Sequence, residues 1–231
     1  MIVGTVVCPH PPLLLRELTG GQDVAAELRK ACTEALGALT ALTPDVVVVV
    51  GGHDAPGEHA GGAVPVRGFG GTGERAPRER ALPLSLGVAR RLLDGAGYSG
   101  PVEMLTVAWD ASAAETEAAG ARIAGRSGRV GLLVMGDGGA RRGLRAPGYL
   151  DERAFGFDEG IRRSLAAGDW TGLLGLDPGP AEELMVAGRA AFQVMGHAVA
   201  FSGTLVRPEL LYADDPFGVM YFVATWLRGT G

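Results

Sequence analysis

Runs of apolar, mostly β-branched residues recur along the chain and predict buried strands. A run that is apolar at nearly every position is typical of a strand covered on both faces, as in a parallel sheet. An aromatic and β-branched run near the C-terminus, residues 219–226, predicts a final strand after a turn at 214–218. The four earlier runs are residues 2–7, 46–50, 102–107 and 130–135.

Segments with apolar positions at helical spacing lie between these runs. Such segments predict helices at residues 23–42, 84–96 and 111–124, with further helices around 158–167 and 180–197. Strands that alternate with helices imply crossover connections and a sheet covered on both faces. We therefore predict an α/β protein: a single three-layer α/β/α domain, residues 1–231, around a mostly parallel sheet.

Composition narrows the class of protein further. Of the 231 residues, 47% are hydrophobic and 20% are charged, which suits a sizeable core. The net charge of −5 argues against a nucleic-acid partner. Cys8 and Cys32 are too few for a disulfide framework or a Cys-rich zinc site. No apolar run approaches the roughly 18 residues of a membrane span and no basic leader is present, so we expect a cytoplasmic protein without a membrane partner.

Two histidines follow predicted strands directly. In "VVCPHPPLLL" the strand must end at Pro9, which has no N–H to donate, so His10 lies just past a strand end. In "VVVVVGGHD" two glycines release the chain after the strand, and His53 and Asp54 follow. Parallel strands present their carboxyl ends at one edge of the sheet, where α/β proteins bind ligands. We expect His10 and His53 to share that edge.

Two imidazoles and one carboxylate form the facial triad of non-haem Fe(II) sites, and similar ligands also bind zinc. The sequence therefore predicts a divalent metal, Fe(II) first and Zn as the alternative. Glu209, ahead of the last turn and strand, is the first candidate for the carboxylate. Asp54 and Asp137 are the alternatives. Asp137 follows the strand at 130–135 and is either a metal or substrate contact or a turn-capping residue.

Several motifs together resemble a known superfamily. "CPHPPLLL" followed by "VVVVVGGHD" resembles the start of the LigB superfamily, which contains the class III extradiol ring-cleaving dioxygenases and the Memo-like proteins. "LLVMGDGGARRGLRAPGYLDERAFGFDEGI", "VAGRAAFQVM" and "DDPFGVMYFVATW" are similar to an actinobacterial branch of class III extradiol dioxygenase-like proteins. The resemblance covers essentially the whole chain. It implies one α/β/α domain with a metal held by His10 and His53, and Glu209 matches the third ligand loosely.

The chain departs from the ring-cleaving members at one position. They carry a Ser-His pair after the strand at 130–135, and its histidine acts as an acid–base group. Here Gly139 and Ala140 stand in that place, and neither can move a proton. His197 is a candidate substitute, although its place after an apolar helix also suits a residue that interacts with the helix dipole. His59 is the other candidate substitute, and it lies in a Gly- and Pro-rich stretch, residues 51–81, that predicts a long loop in which His59 is solvated.

Two functional hypotheses follow from this resemblance and this departure. The first is a metal-dependent, non-haem iron oxidoreductase of the extradiol dioxygenase type, acting on a catechol-like or other bidentate small molecule. The second is a non-catalytic LigB-like protein that binds a metabolite or a partner. Arg141, Arg142 and Arg145 form either a clamp for a substrate anion or a basic loop paired with Glu152 or Asp151. The sequence is also compatible with a homo-oligomer, whose interface it does not identify.

Overall fold

The computed structural model describes residues 1–19, 21–72 and 81–229, and seven strands within them form one sheet. The strand order is β3-β4-β2-β5-β1-β7-β6. The central strands β4, β2, β5 and β1 run parallel, whereas the neighbours at both ends pair antiparallel. The bounds are β1 Ile2–Cys8, β2 Val46–His53, β3 Gly57–His59, β4 Val102–Ala108, β5 Val130–Met135, β6 Val206–Asp214 and β7 Tyr221–Arg228.

Helices cover both faces of this sheet. The first two helices pack on one face with Cys8, Val49 and Met135, and the other five pack on the opposite face with Val48, Val50 and Leu132. This confirms the predicted three-layer α/β/α fold, with antiparallel strands added at the edges. The bounds are α1 Ala26–Thr40, α2 Leu84–Gly95, α3 Ala113–Ala124, α4 Arg153–Ala167, α5 Trp170–Leu174, α6 Pro178–Glu183 and α7 Arg189–Ser202.

The two halves of the chain share the sheet. β1 pairs with β5 on one side and with β7 on the other, so the first strand lies between elements from the second half. The predicted strands at 2–7, 46–50 and 130–135 are neighbours in the order β1-β5-β2. Their carboxyl ends consequently lie side by side at one edge of the sheet, as predicted.

Local sequence explains where the observed helices begin and end. α3 starts with a capping box, in which Ser112 and Glu115 each accept a bond from the other residue's backbone amide. The predicted helix at 180–197 is instead two helices, α6 and α7. Between them Met185 has a φ of 56° and the backbone reaches Gly188. Gly188 approaches Asp137 closely, and its amide donates to the Asp137 carbonyl at 2.8 Å.

Two strands are absent from the sequence prediction. β6 contains Pro208, which is tolerated because β6 is an edge strand with a free side. β3 is only three residues long and lies in the Gly- and Pro-rich stretch 51–81, where a long loop is predicted; residues 73–80 of that loop lie outside the described residues. Among the helices of the described segments, none combines the length and the hydropathy that a membrane span needs.

Candidate functional site

Three side chains stand in a row where β1, β5 and β2 end. Cys8 pairs with Met135, and Met135 pairs with Gly51, so these three residues are level across the sheet. His10, Asp137 and His53 each lie two residues beyond that level. Neighbouring strands are about 4.8 Å apart, so the backbones of the two histidines are separated by about 10 Å, with Asp137 between them. The edge predicted for the histidines thus also holds Asp137.

His10 and Asp137 are in direct contact and both are buried. The His10 backbone amide donates to Asp137 Oδ1 at 2.8 Å, so the carboxylate ties the end of β1 to the end of β5. Nδ1 of the imidazole lies 3.6 Å from the same oxygen, too far for a hydrogen bond. Within the described residues Nδ1 has no hydrogen-bond partner at all. A buried nitrogen in this state is available to a ligand.

Trp109 forms the wall beside His10. The indole and imidazole rings are nearly parallel, with their centroids 6.2 Å apart. The Trp109 amide donates to the His53 carbonyl, which fixes the residue after β4 against the end of β2. A Cβ on Gly52 would lie 1.7 Å from the indole, so only glycine lets this ring approach the strand. Gly51 and Gly52 belong to β2 and do not release the chain, contrary to the sequence prediction. Their lack of a side chain makes room for neighbouring side chains.

Burial dominates the electrostatics of the Asp137 carboxyl. Burial raises its pKa above the ordinary value, and the His10 imidazole and backbone amide lower it only in part. Tyr221 is also buried, and its pKa is raised by burial and then by the Asp137 charge. A carboxyl group with a raised pKa is a better proton acceptor near neutral pH than an exposed one.

His53 belongs to the row but faces a different set of neighbours. It is half-buried, and its Nδ1 accepts a bond from the Ala55 amide at 3.3 Å. Desolvation and the nearby His53 lower the pKa of His59, whose Nε2 lies 3.2 Å from Thr106 Oγ1. Asp54 is exposed. The structure therefore groups His53 with His59 on the β3 and β4 side, and it does not bring Asp54 to His10.

Glu209 is not brought to the histidines. It lies on the edge strand β6, exposed, opposite Thr225 of β7. The pairing of β7 with β1 is level at Ala224 and Val7, which makes Tyr221 the residue level with His10. Glu209 is four residues from that level, about 13 Å along the strand, and two strands away. Asp137, one of the predicted alternatives, is the carboxylate beside His10.

His197 does not lie at the end of a helix. α7 continues to Ser202, so His197 is inside it, stacked on Phe201 with centroids 6.0 Å apart. Its Cβ packs close to Gly120 of α3. His197 is eight residues along α7 from Arg189, about 12 Å at the helical rise, and this distance separates it from the strand ends. The helix-dipole interpretation is therefore wrong, and the structure does not bring His197 to the row as an acid–base group.

An ion-pair network holds the backbone at Gly139. The Gly139 amide donates to Oδ1 of Asp158, a residue of α4 that is 1% exposed. Arg142 pairs with Asp158 at 3.2 Å and with Asp215 at 2.6 Å, and its guanidinium lies over the Phe155 ring. Arg142 is thus paired, although with neither Glu152 nor Asp151, and it is not a free anion clamp. The network fixes the segment after Asp137.

The burial of Asp158 makes the stability of the protein depend on pH. Burial raises the pKa of Asp158 from 3.8 to about 6, with the Gly139 amide and Arg142 opposing it in part. Its contribution to stability is fully present below about pH 4 and is lost as the pH rises through about 6, a difference of about 3 kcal/mol. Asp158→Asn should gain about that much relative to the wild type between pH 4 and 7, measured by urea unfolding.

The exposed Asp54→Asn variant serves as the control for the loss of one charge. A difference in unfolding free energy between Asp158→Asn and the wild type that stays constant from pH 4 to 7 would contradict the assignment.

Gly52→Ala should displace Trp109 with little loss of stability. The added methyl group would overlap the indole, but Trp109 is 40% exposed and has room to swing outward. We expect a red shift of its fluorescence emission, measured in a Trp170→Phe background that removes the other partly exposed tryptophan. An unchanged spectrum would mean that the ring does not rest on Gly52. Gly143→Ala, where no atom lies within 4 Å of the added Cβ, is the control.

The residues around the row differ in how clearly the sequence alone indicates that they belong to a functional site. Trp109 directly follows a strand, and Tyr221 lies in an aromatic strand. Nothing in the local sequence pattern of either residue indicates a functional site. Arg189, which contacts the Trp109 carbonyl, opens an apolar helix. An arginine at the buried start of such a helix is the one signal that could have been noticed, because arginine is seldom fully buried.

The donor set fits a divalent ion in part. Donors bound tetrahedrally to one ion at about 2.0–2.1 Å are about 3.4 Å apart, close to the His10–Asp137 separation of 3.6 Å. The unpartnered Nδ1 of His10 supports this fit. A third donor is not in place: in the part of the chain that the structure describes, no group of three His, Cys, Asp or Glu side chains is arranged to hold an ion.

Comparisons with known proteins support the fold alone. No family model matches the chain, and no curated protein does. Among solved structures, the chain is similar to an uncharacterized protein from Escherichia coli K12, with a TM-score of 0.56 and 13% sequence identity. The match covers 97% of this chain and 99% of that one. At this level of identity the likeness concerns architecture and carries no activity with it.

Proposed function

We propose that the protein is a metal-dependent enzyme of the LigB type that acts on a catechol-like or other bidentate small molecule. The observation that carries the proposal is the buried pair of His10 and Asp137 at the carboxyl edge, with a partnerless imidazole nitrogen facing a carboxylate oxygen. Buried polar atoms without partners are rare, and a ligand is a common reason for them. The resemblance of the CPHPP and GGHD motifs to the LigB superfamily supports the same site.

The proposed ligands are His10, His53 and Asp137. His10 and Asp137 need only small movements. His53 has to give up its bond from the Ala55 amide to bind an ion. This bond occupies the lone pair of Nδ1, and in the same neutral tautomer Nε2 carries the proton. Among the described residues these side chains do not form a ready-made group of three. Asp137 takes the role for which the sequence favoured Glu209.

A bound Fe(II), or zinc as the alternative, would supply a Lewis-acid centre with open positions for a chelating substrate. The chain itself contributes the surroundings. Trp109 and Tyr221 limit water around the row, and a dry environment strengthens each charge interaction with a substrate anion. Asp137 accepts the bond from the His10 backbone amide, and as a ligand it would supply the negative charge that offsets the charge of the ion.

A non-catalytic, ligand-binding role is the second candidate, and Gly139 and Ala140 favour it. The Gly139 amide donates to Asp158, and neither residue 139 nor residue 140 has a side chain that can move a proton. The loss of a positioned acid–base group lowers rates by about 10²–10⁴-fold. The enzyme hypothesis therefore predicts slow turnover, whereas the binding hypothesis predicts none.

Oxygen uptake separates the two candidates. The wild-type protein, loaded anaerobically with Fe(II), should consume oxygen in the presence of at least one member of a catechol panel, and His10→Ala should not. Glu209→Gln is the matched control and should retain the activity. Saturable binding of a catechol without oxygen uptake would overturn the enzyme assignment in favour of the binding protein.

A further inference from the structure

Arg189 is a buried cation without a carboxylate partner. It is the first residue of α7 and is 4% exposed. Its guanidinium donates to the carbonyls of Ala111 and Trp109, each at 2.6 Å, and to Gln193 Oε1 at 2.9 Å. All three acceptors are neutral. Among the described residues no carboxylate lies within ion-pair distance of Arg189, so the charge is hydrogen-bonded but not neutralised.

A buried charge in this state is costly unless a counter-ion joins it. An arginine has five N–H donors, of which the three bonds use three, and Nε and one Nη2 hydrogen remain. Burial disfavours the charged form and lowers the pKa of Arg189, and the negative charge of Asp110 opposes this lowering only in part. The positive end of α7, a helix of 14 residues, adds to the same positive potential.

Arg189 lines a cavity of about 450 Å³. This volume lies within the usual range for small-molecule sites, about 300–1,000 Å³. Most of the wall is apolar. Trp109 and Met185 stand at its open side, 40% and 44% exposed, and Met185 is held there by its left-handed backbone. The other apolar contributors are Pro178, Ala181, Val186 and Ala187.

We propose that this cavity binds a small organic monocarboxylate with a flat apolar body. The carboxylate would accept the two remaining guanidinium donors of Arg189, and the body would lie against Trp109 and Met185. Asp110 and Glu182 also line the cavity and both are exposed. Their charges disfavour a dianion such as inorganic phosphate more strongly than a monoanion bound at Arg189.

The site does not depend on a metal. It shares Trp109 with the row of His10, Asp137 and His53, but its charged group is Arg189 and the chain supplies every contact. Failure of the metal proposal would leave it unaffected, and its own failure would leave the metal proposal unaffected. The metal-free protein is therefore the right sample for the test.

Calorimetric titration of EDTA-treated protein with benzoate tests the inference. We expect saturable binding with one site per chain, at least tenfold weaker binding of the neutral isostere benzamide, and no competition from inorganic phosphate. Arg189→Met should weaken benzoate binding about tenfold or more, as expected for loss of a charge-assisted bond. Arg163→Met, at an exposed position of α4, is the matched control and should bind as the wild type does.

Gly179→Phe covers the case in which Arg189→Met does not fold. Gly179 is exposed on α6 at the cavity, and an added Cβ meets only an ordinary contact with Asp177 at 3.5 Å. The phenyl group should obstruct the opening and lower benzoate affinity while the circular dichroism spectrum is retained. Equal binding of benzoate and benzamide, or unchanged benzoate binding by a folded Arg189→Met or Gly179→Phe, would overturn the inference.

Discussion

Asp137→Asn should lower the affinity for a divalent ion by about a hundredfold or more, since even outer partners of metal ligands are worth about 10–100-fold. Asparagine keeps the size of the side chain and can still accept the bond from the His10 amide. The asparagine side chain lacks the negative charge with which Asp137 would offset the positive charge of the ion. Competition with a fluorescent chelator measures the affinity, and far-UV circular dichroism checks the fold.

Glu209→Gln is the matched control because it removes one carboxylate charge from an exposed edge strand. It should leave the affinity unchanged. If Glu209→Gln loses the ion and Asp137→Asn keeps it, the carboxylate has been assigned to the wrong residue. If Asp54→Asn alone loses it, the ligand is the residue next to His53, and the row of His10, Asp137 and His53 does not form the site.

Gly51→Ala should destabilise the protein by about 1–3 kcal/mol, the usual range for an overpacked core. A Cβ at Gly51 would lie 2.4 Å from Ser85 Oγ and 2.6 Å from Ser85 Cβ. Ser85 cannot move away easily. It is 1% exposed, it belongs to α2, and its hydroxyl donates to the Gly52 carbonyl at 3.0 Å. The free energy of unfolding in urea measures the effect.

Two further variants sharpen this prediction. Gly37→Ala, inside α1 with no atom within 4 Å of the added Cβ, should stabilise the protein by about 0.5–1 kcal/mol. Ser85→Gly in the Gly51→Ala background should recover part of the lost stability, and a double-mutant cycle isolates the contact. Additive effects of the two substitutions would show that Ser85 is not what excludes a side chain at Gly51.

The apolar pattern predicts the centre of the fold because it reports burial directly. The runs at 2–7, 46–50 and 130–135 are buried on both faces, and such strands become neighbours in a parallel sheet. His10 and His53 follow from this, since a proline and the end of a valine run locate two strand ends. The edge strand β6 leaves no comparable pattern, because one side of it is free and its burial is partial.

The third ligand could not be ranked from the sequence because register is a long-range property. Glu209 precedes the last strand along the chain, but only the pairing of Glu209 with Thr225 shows that it lies far from the carboxyl edge. Asp137 follows a buried strand, which made it an alternative, yet the sequence does not say that β5 lies between β1 and β2. The position of the Trp109 ring depends on the absence of a side chain at Gly52. This contact joins the residue after β4 to a residue of β2, so the local sequence does not predict it.

The metal content of the wild-type protein tests the central claim most directly. Protein reconstituted anaerobically with Fe(II) and passed through gel filtration should retain one iron per chain by elemental analysis, while folded His10→Ala retains none. Zinc, offered in the same way, should bind at the same residues. A wild-type protein that retains no stoichiometric metal, or a His10→Ala variant that retains as much as the wild type, would contradict the account.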